Sequence, residues 1–355
     1  MSRFLDRRYR NLTPYVPGEQ PRNPGYVKLN TNESPFPPSP RVLQALSGEE
    51  VQRLNLYPDP EAWAVRRAVA ELYGLAENQV MMTNGSDEAL AFCFLAFCGA
   101  EKGVAYPSVS YGFYPVYARL CSLDALEIPL GEDFTICPEA YSALGRTVVI
   151  ANPNAPTGLS LSRDEIEEIV LKNPDSVVVV DEAYVDFGGE SAVPLIGRYD
   201  NLVVVQTCSK SRNLAGMRLG FALGDAALIA DLNAVRCSFN PYNLSRPACL
   251  AGEAAIRDAA YFRTCTDRII RTREAFSAAL REIGFSVLPS AANFVFAAPP
   301  GIGGEDYYKA LRARGVLIRY FDRPGLREYV RITIGSDAQM RLLLEKTTEI
   351  LEERK

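Results

Sequence analysis

Val203-Val204-Val205-Gln206-Thr207-Cys208-Ser209-Lys210-Ser211-Arg212-Asn213-Leu214-Ala215-Gly216-Met217-Arg218-Leu219-Gly220 is an apolar run that ends in small polar residues, a single lysine, a glycine-bearing turn and an arginine. The run reads as a buried strand, so the Lys210 amine is expected where water is scarce. Desolvation lowers a lysine pKa and exposes the nucleophilic free amine. Ser209 and Arg218 flank it with a hydroxyl and a permanent cation, a combination suited to phosphate. A lone lysine after a strand is more often a solvated loop residue. The segments on either side have to decide between the two.

Working outward, residues 176–184 form another strand, with five β-branched or small residues that suit burial on both faces of a parallel sheet. It carries Asp181 at its end, and the ends of such strands hold ligands in open α/β sheets. A strand at 147–151 leads into Asn152-Pro153-Asn154-Ala155-Pro156-Thr157-Gly158 and then a helix over 162–171, with Ser162 and Glu165 in capping-box register. Further strands are expected at 80–83, 103–106, 125–129 and 218–223. The first opens through Asn84-Gly85-Ser86-Asp87-Glu88 into an apolar helix over 89–98. Strand, glycine turn and helix point free N–H groups at an anion. Asp87 would repel a phosphate that it faced, so N–H groups and the Ser86 hydroxyl should make that contact. After the strand at 103–106, Tyr111, Phe113, Tyr114 and Tyr117 crowd together. Such spacing usually marks helix core, yet a ring just past a strand end can stack on a flat heterocycle.

Strands alternating with helices over 80–235 predict a mostly parallel, seven-stranded sheet with helices on both faces. Before it, 1–38 reads as an irregular arm and 41–46 as a short helix. Another helix, running to Gly74, is expected with Pro60 near its first position. After the sheet come helices at 226–236, 244–259 and 261–282, then a second α/β unit. That unit has strands at 285–288, 293–296, 316–319 and 329–334 and helices at 307–314 and 337–353. The expected division is an arm at 1–47, a large domain at 48–240 and a C-terminal part at 241–355, with the arm and the C-terminal part together making a small α+β domain.

The 355 residues suggest about two domains. Apolar residues make up 48% and the net charge is −5 with acids and bases mixed, which argues against nucleic acid or an anionic membrane as partner. No apolar run approaches the roughly 20 residues of a bilayer span, and the start of the chain lacks the apolar core of a signal peptide. Eight scattered cysteines without a C-x-x-C pair fit reduced thiols and a cytoplasmic location. No metal site is expected. There is no histidine at all, which rules out Ser-His-Asp and Cys-His machinery and leaves a tuned Lys, Asp, Glu, Tyr or Cys as proton shuttle. A Schiff-base lysine beside a phosphate site points to pyridoxal phosphate.

With these pieces in order, the chain resembles the fold-type I pyridoxal-phosphate aminotransferases, and within them the histidinol-phosphate aminotransferase group. The resemblance is carried by Leu29-Asn30-Thr31-Asn32-Glu33-Ser34-Pro35, Tyr57-Pro58-Asp59, Asn84-Gly85-Ser86-Asp87-Glu88, Asn152 through Gly158, Asp181-Glu182-Ala183-Tyr184, Ser209-Lys210, the glycine turn to Arg218, and Val330-Arg331-Ile332-Thr333. It implies that Lys210 forms the Schiff base and then moves a proton at the substrate α-carbon. Asp181 would pair with the pyridine nitrogen, and Asn154 and Tyr184 would bond the phenolic oxygen. Tyr111 would stack on the ring. Gly85, Ser86, Asp87, Ser209 and Arg218 would surround the phosphate, with Tyr57 reaching it from a second subunit of a homodimer. Arg331 would clamp a carboxylate, and Arg319, Asn30, Tyr26 and Tyr15 are candidates for the distal end of a small-molecule substrate.

Two features depart from the common pattern: Ala155 follows Asn154 where a second asparagine is usual, and the longer segment before Tyr111 leaves Tyr111 and Tyr114 both open as the stacking residue. The implied reaction is transamination between histidinol phosphate and 2-oxoglutarate, in histidine biosynthesis. The alternatives on this scaffold are an aromatic or broad-range aminotransferase, a threonine-phosphate decarboxylase-like lyase, and a non-catalytic sensor.

Overall fold

A computed structural model describes residues 2–9, 12–21, 25–99 and 101–354. The seven expected strands form one sheet in the order Val80–Thr83, Gly220–Gly224, Leu202–Thr207, Val178–Asp181, Thr147–Ala151, Val104–Pro107 and Ala125–Ile128. Neighbours run parallel, except that Gly220–Gly224 is antiparallel to both strands beside it. Along each central strand the side chains alternate between two cores. Val203 and Val205 join Val149 and Val179 beneath the helices Ser86–Phe97 and Ala226–Phe239. Leu202 and Val204 join Val148, Ile150 and Val178 on the other face, against Trp63–Tyr73 and Arg163–Leu171. Burial on both faces is why these strands read as continuous apolar runs, and each such side chain contributes about 1.5–3 kcal/mol.

Helix ends follow their local chemistry. Ser162 and Glu165 form the expected reciprocal cap of Arg163–Leu171. The helix expected to start near Pro60 starts at Trp63 instead. The Asp59 carboxylate accepts the N–H groups of Glu61 and Trp63, and Ala62 turns through a φ of 47° before the helix begins. Gly74, at φ 66°, ends it as a left-handed cap.

The second unit is a four-stranded antiparallel sheet, ordered Arg319–Tyr320, Val330–Thr333, Phe294–Ala298 and Ser286–Val287. Three helices cover it: Ala259–Glu282, Gly304–Ala313 and Asp337–Glu352. The N-terminal arm is stitched to this unit, because Val27–Lys28 pairs in parallel with Val316–Leu317 and Leu29 enters the same core. The boundaries expected at 47 and 240 cut across a shared core. Val42 of the helix Pro40–Leu46, and Ala251, Ala255 and Ile256 of the helix Arg246–Arg257, pack with the large sheet. No helix among the described residues is long and apolar enough to cross a membrane.

Candidate active site

The carboxyl ends of the central strands converge on one cavity of about 340 Å³, closed from the other side by the arm and by the small unit. The strand Leu202–Thr207 delivers Ser209 and Lys210. Val178–Asp181 delivers Asp181 and, one turn on, Tyr184. Val80–Thr83 leads to Ser86 and Asp87, and the arm adds Asn30, Thr31, Asn32 and Glu33. Arg319 and Arg331 enter from the antiparallel sheet.

The floor depends on two glycines. A Cβ on Gly220 would stand 2.5 Å from the Ser86 backbone nitrogen, so only glycine lets the strand pass beneath the start of the helix Ser86–Phe97. A Cβ on Gly85 would stand 2.6 Å from the Arg218 guanidinium. Gly85 is not among the residues that line the cavity; its φ of 81° is what favours glycine there, beside the Arg218 side chain. As the helix cap it carries no side chain, so the first-turn N–H groups keep their capacity for an anion. Arg218 adopts a left-handed φ of 52°, uncommon for a bulky residue. It places its guanidinium 3.3 Å from the Asp87 carboxylate and 3.5 Å from the Ser209 hydroxyl.

Burial sets the charge states. The Lys210 amine is pushed down to about 8, first by desolvation and then by the Arg331 cation; it donates to the Thr31 carbonyl at 3.1 Å. Asp181 is pushed up to about 6 by desolvation. The Tyr114 hydroxyl, 2.8 Å away, and the Ala183 N–H, at 3.2 Å, work against that shift by stabilising the carboxylate. Tyr184 accepts from the Asn32 amide at 2.9 Å. Arg331 donates to the Asn30 carbonyl at 3.1 Å, its buried Nε has no hydrogen-bond partner among the described residues, and burial holds its pKa below the usual arginine range.

Of the residues expected at the site, Lys210, Asp181, Tyr184, Ser86, Asp87, Tyr111, Ser209, Arg218, Arg319, Arg331 and Asn30 share this one cavity. Tyr15, on the arm, also lines it. Tyr111 faces the cavity and donates to Asp87 at 2.8 Å, whereas Tyr114 is fully buried behind it on Asp181. Asn154 does not line the cavity. Its amide donates to the Val109 carbonyl and the Thr157 hydroxyl, and its oxygen accepts from Ser110 at 2.7 Å, so the neighbouring loop already uses the groups expected to reach a cofactor. Tyr26 is outside the lining, immediately before the strand that anchors the arm. Tyr57 is 77% exposed and stacks on Tyr242, away from this cavity.

Sequence reasoning did not single out Asn32. Its role needs a left-handed φ of 55° together with contacts to Tyr184 and Thr333, more than a hundred residues away. Among the described residues no His, Cys, Asp and Glu cluster could hold a metal ion.

The chain matches the family model for aminotransferase class I and II over residues 24–346. The chain belongs to that family. The histidinol-phosphate aminotransferase of Brachyspira hyodysenteriae is 47% identical over 99% of this chain and all of its own length. Histidinol-phosphate aminotransferase 2 of Dechloromonas aromatica is 49% identical over 99% of both. The crystal structure of histidinol-phosphate aminotransferase from Sinorhizobium meliloti, in complex with pyridoxal-5'-phosphate, superimposes with a TM-score of 0.84 at 25% identity, covering 93% of this chain and 92% of that one. The enzyme is a pyridoxal-phosphate-dependent aminotransferase of this group. The cavity fits the cofactor. At one end lies a buried carboxylate with two donors and, among the described residues, no cationic partner. At the other lie a helix N-terminus, a hydroxyl and an arginine, and a depressed lysine shares the space.

Proposed function

We propose that this aminotransferase moves an amino group reversibly between histidinol phosphate and 2-oxoglutarate, giving the corresponding keto phosphate and glutamate. One observation carries the choice of substrates. Arg319 and Arg331 both line the cavity that holds Lys210, and their polar contacts among the described residues are backbone carbonyls. Histidinol phosphate brings a phosphate dianion and glutamate brings two carboxylates, so one pair of cations serves both halves of the exchange. The planar guanidinium fork suits either group. The relatives of nearly equal length carry the same substrate in their names.

When bound, pyridoxal phosphate supplies an aldehyde for amine exchange and a ring that draws electrons from the substrate α-carbon. The chain supplies the rest. Ser86, Ser209, Arg218 and the first-turn N–H groups are assigned to the phosphate. Asp87 partly neutralises Arg218 and, through its bond with the Tyr111 hydroxyl, fixes the ring assigned to stacking. The Asp181 carboxylate, steadied by Tyr114 and Ala183, would face the ring nitrogen and favour its protonated form. The Tyr184 hydroxyl, oriented by Asn32, is assigned to the phenolic oxygen. Lys210 Nζ takes the proton from the α-carbon, a step that needs the free amine its burial favours.

The test is a set of half-reactions, mixing holoenzyme with histidinol phosphate, glutamate, phenylalanine, tyrosine or threonine phosphate and following the cofactor's visible band. Histidinol phosphate and glutamate are expected to bleach it quickly and the aromatic amino acids at least about tenfold more slowly, the penalty for leaving a buried cation unpaired. Faster conversion of phenylalanine would make this a broad-range enzyme, and carbon dioxide from threonine phosphate would make it a lyase.

The working unit is assigned as a cytoplasmic homodimer in which Tyr57 completes the partner's phosphate site. Support comes from its exposure outside its own cavity and from the exposed Leu54, Leu56, Phe239 and Tyr242. Sedimentation should show two chains. Mixing inactive Lys210→Ala with a weakened Tyr57→Phe protein should give hybrids containing one site with both residues intact, and activity above either parent. A fully active monomer is the opposing result.

A further inference from the structure

Arg319 and Arg331 stand directly opposite one another in the antiparallel pairing of Arg319–Tyr320 with Val330–Thr333. Like charges in that register repel and weaken a strand pair. Arg319 donates to the Val16 carbonyl at 3.3 Å and Arg331 to the Asn30 carbonyl, and neither forms an ion pair among the described residues. One aromatic ring serves both cations. The Phe321 centroid is 5.6 Å from the guanidinium carbon of Arg319 and 5.5 Å from that of Arg331. A ring within about 6 Å attracts a guanidinium, and a shared ring offsets the repulsion at both positions. The ring is itself braced, since it meets Phe296 at 6.5 Å and Phe296 stacks on Tyr329 at 4.9 Å. Phe134, from the large unit, closes edge-on against both.

The two arginines are not held equally. Arg331 also has Phe294 at 5.3 Å and is half-buried, and among the described residues its buried Nε has no hydrogen-bond partner. Among the described residues Arg319 is held by Phe321 and one carbonyl of the arm. Without the ring, repulsion from Arg331 would send the Arg319 side chain toward solvent, while Arg331 would stay in place. A site with both cations fits a doubly charged anion; a site with Arg331 alone still fits a singly charged one.

We propose that Phe321 is a positioning residue that keeps Arg319 beside Arg331 and thereby makes the cavity select doubly charged anions, phosphate monoesters or dicarboxylates, over singly charged ones. The proposal rests on the transaminase reading for its substrates, though its geometry does not. The test titrates holoenzyme calorimetrically with inorganic phosphate near pH 8, where phosphate is mainly dianionic, and with acetate. It compares wild type, Phe321→Leu, Phe321→Met and Phe321→Tyr. Phe321→Leu and Phe321→Met are expected to weaken phosphate about tenfold and acetate by less than about twofold. Their loss in turnover should fall on KM for the phosphorylated substrate more than on kcat, and Phe321→Tyr should restore phosphate binding. Equal weakening of both anions, unchanged or tighter phosphate binding, or a tyrosine variant as weak as the leucine one would overturn it. A wild-type enzyme that ignores histidinol phosphate yet prefers phosphate to acetate, and loses that preference in Phe321→Leu, removes the substrate assignment and leaves this inference standing.

Discussion

Lys210→Ala is expected to lower transamination by at least about a thousandfold, since one side chain provides both the nucleophilic amine and the proton carrier. An ordinary lysine near 10.5 is about one part in three thousand free amine at pH 7, whereas one near 8 is about one part in ten. Burial in the cavity and the neighbouring Arg331 cause that change. Lys210→Arg should be as inactive as the alanine variant, because a guanidinium keeps its charge but cannot surrender its proton. The same shift predicts a gain elsewhere. With a folded value near 8 and an unfolded value near 10.5, the unfolded chain binds the extra proton between those pH values, so lysine-linked stability rises with pH across that window. Below it the buried ammonium carries its full penalty. Cofactor-free Lys210→Ala should therefore melt above wild type at pH 7, and the gap should close toward pH 10. Residual turnover above about one per cent of wild type would assign the proton transfer to another group.

Asp181→Asn carries the second largest expected effect, a loss in kcat of at least about a hundredfold. Removing one member of a buried charge pair costs about 3–5 kcal/mol, and the amide cannot hold the ring nitrogen protonated. In the cofactor-free protein the carboxylate is strained the other way. Its folded value near 6 exceeds the usual 3.8, so the folded state holds the proton longer and stability falls as pH rises from about 4 to about 6. A cationic partner reverses that balance by favouring the carboxylate. Cofactor binding to wild type should accordingly strengthen through this window, while Asp181→Asn shows no such rise. Calorimetric affinities at pH 5 and pH 7 measure it directly. A parallel rise in both proteins would locate the titrating group elsewhere.

Much of the fold was legible because the strands of a two-faced parallel sheet announce themselves as short apolar runs. Val80–Thr83, Thr147–Ala151 and Leu202–Thr207 lie within a residue of where their composition puts them. The order of the strands was not legible. Nothing local places Val80–Thr83 beside Gly220–Gly224, because that contact depends on a helix start passing over Gly220. At the site, groups delivered directly by strand ends, such as Asp181 and Lys210, could be read from their position. Groups whose role depends on distant partners could not. Asn154 looks free in its proline-flanked turn, but the loop at 108–110 takes up its amide. Tyr111 and Tyr114 are told apart by which of them faces the cavity and by what each hydroxyl meets, Asp87 in one case and Asp181 in the other. Phe321 gives no signal until Arg319 and Arg331 are seen facing each other across the strands.

The parallel pairing of Val27–Lys28 with Val316–Leu317 bears on the order in which the molecule is made. The arm leaves the ribosome long before the edge it zips onto, with the whole of the central sheet made in between. Asn30 through Glu33 hang from that seam, and Arg331 is fastened to the Asn30 carbonyl. A nascent chain can thus finish its central sheet while its catalytic chamber still lacks a wall, and the chamber closes only once Val316–Leu317 has been made.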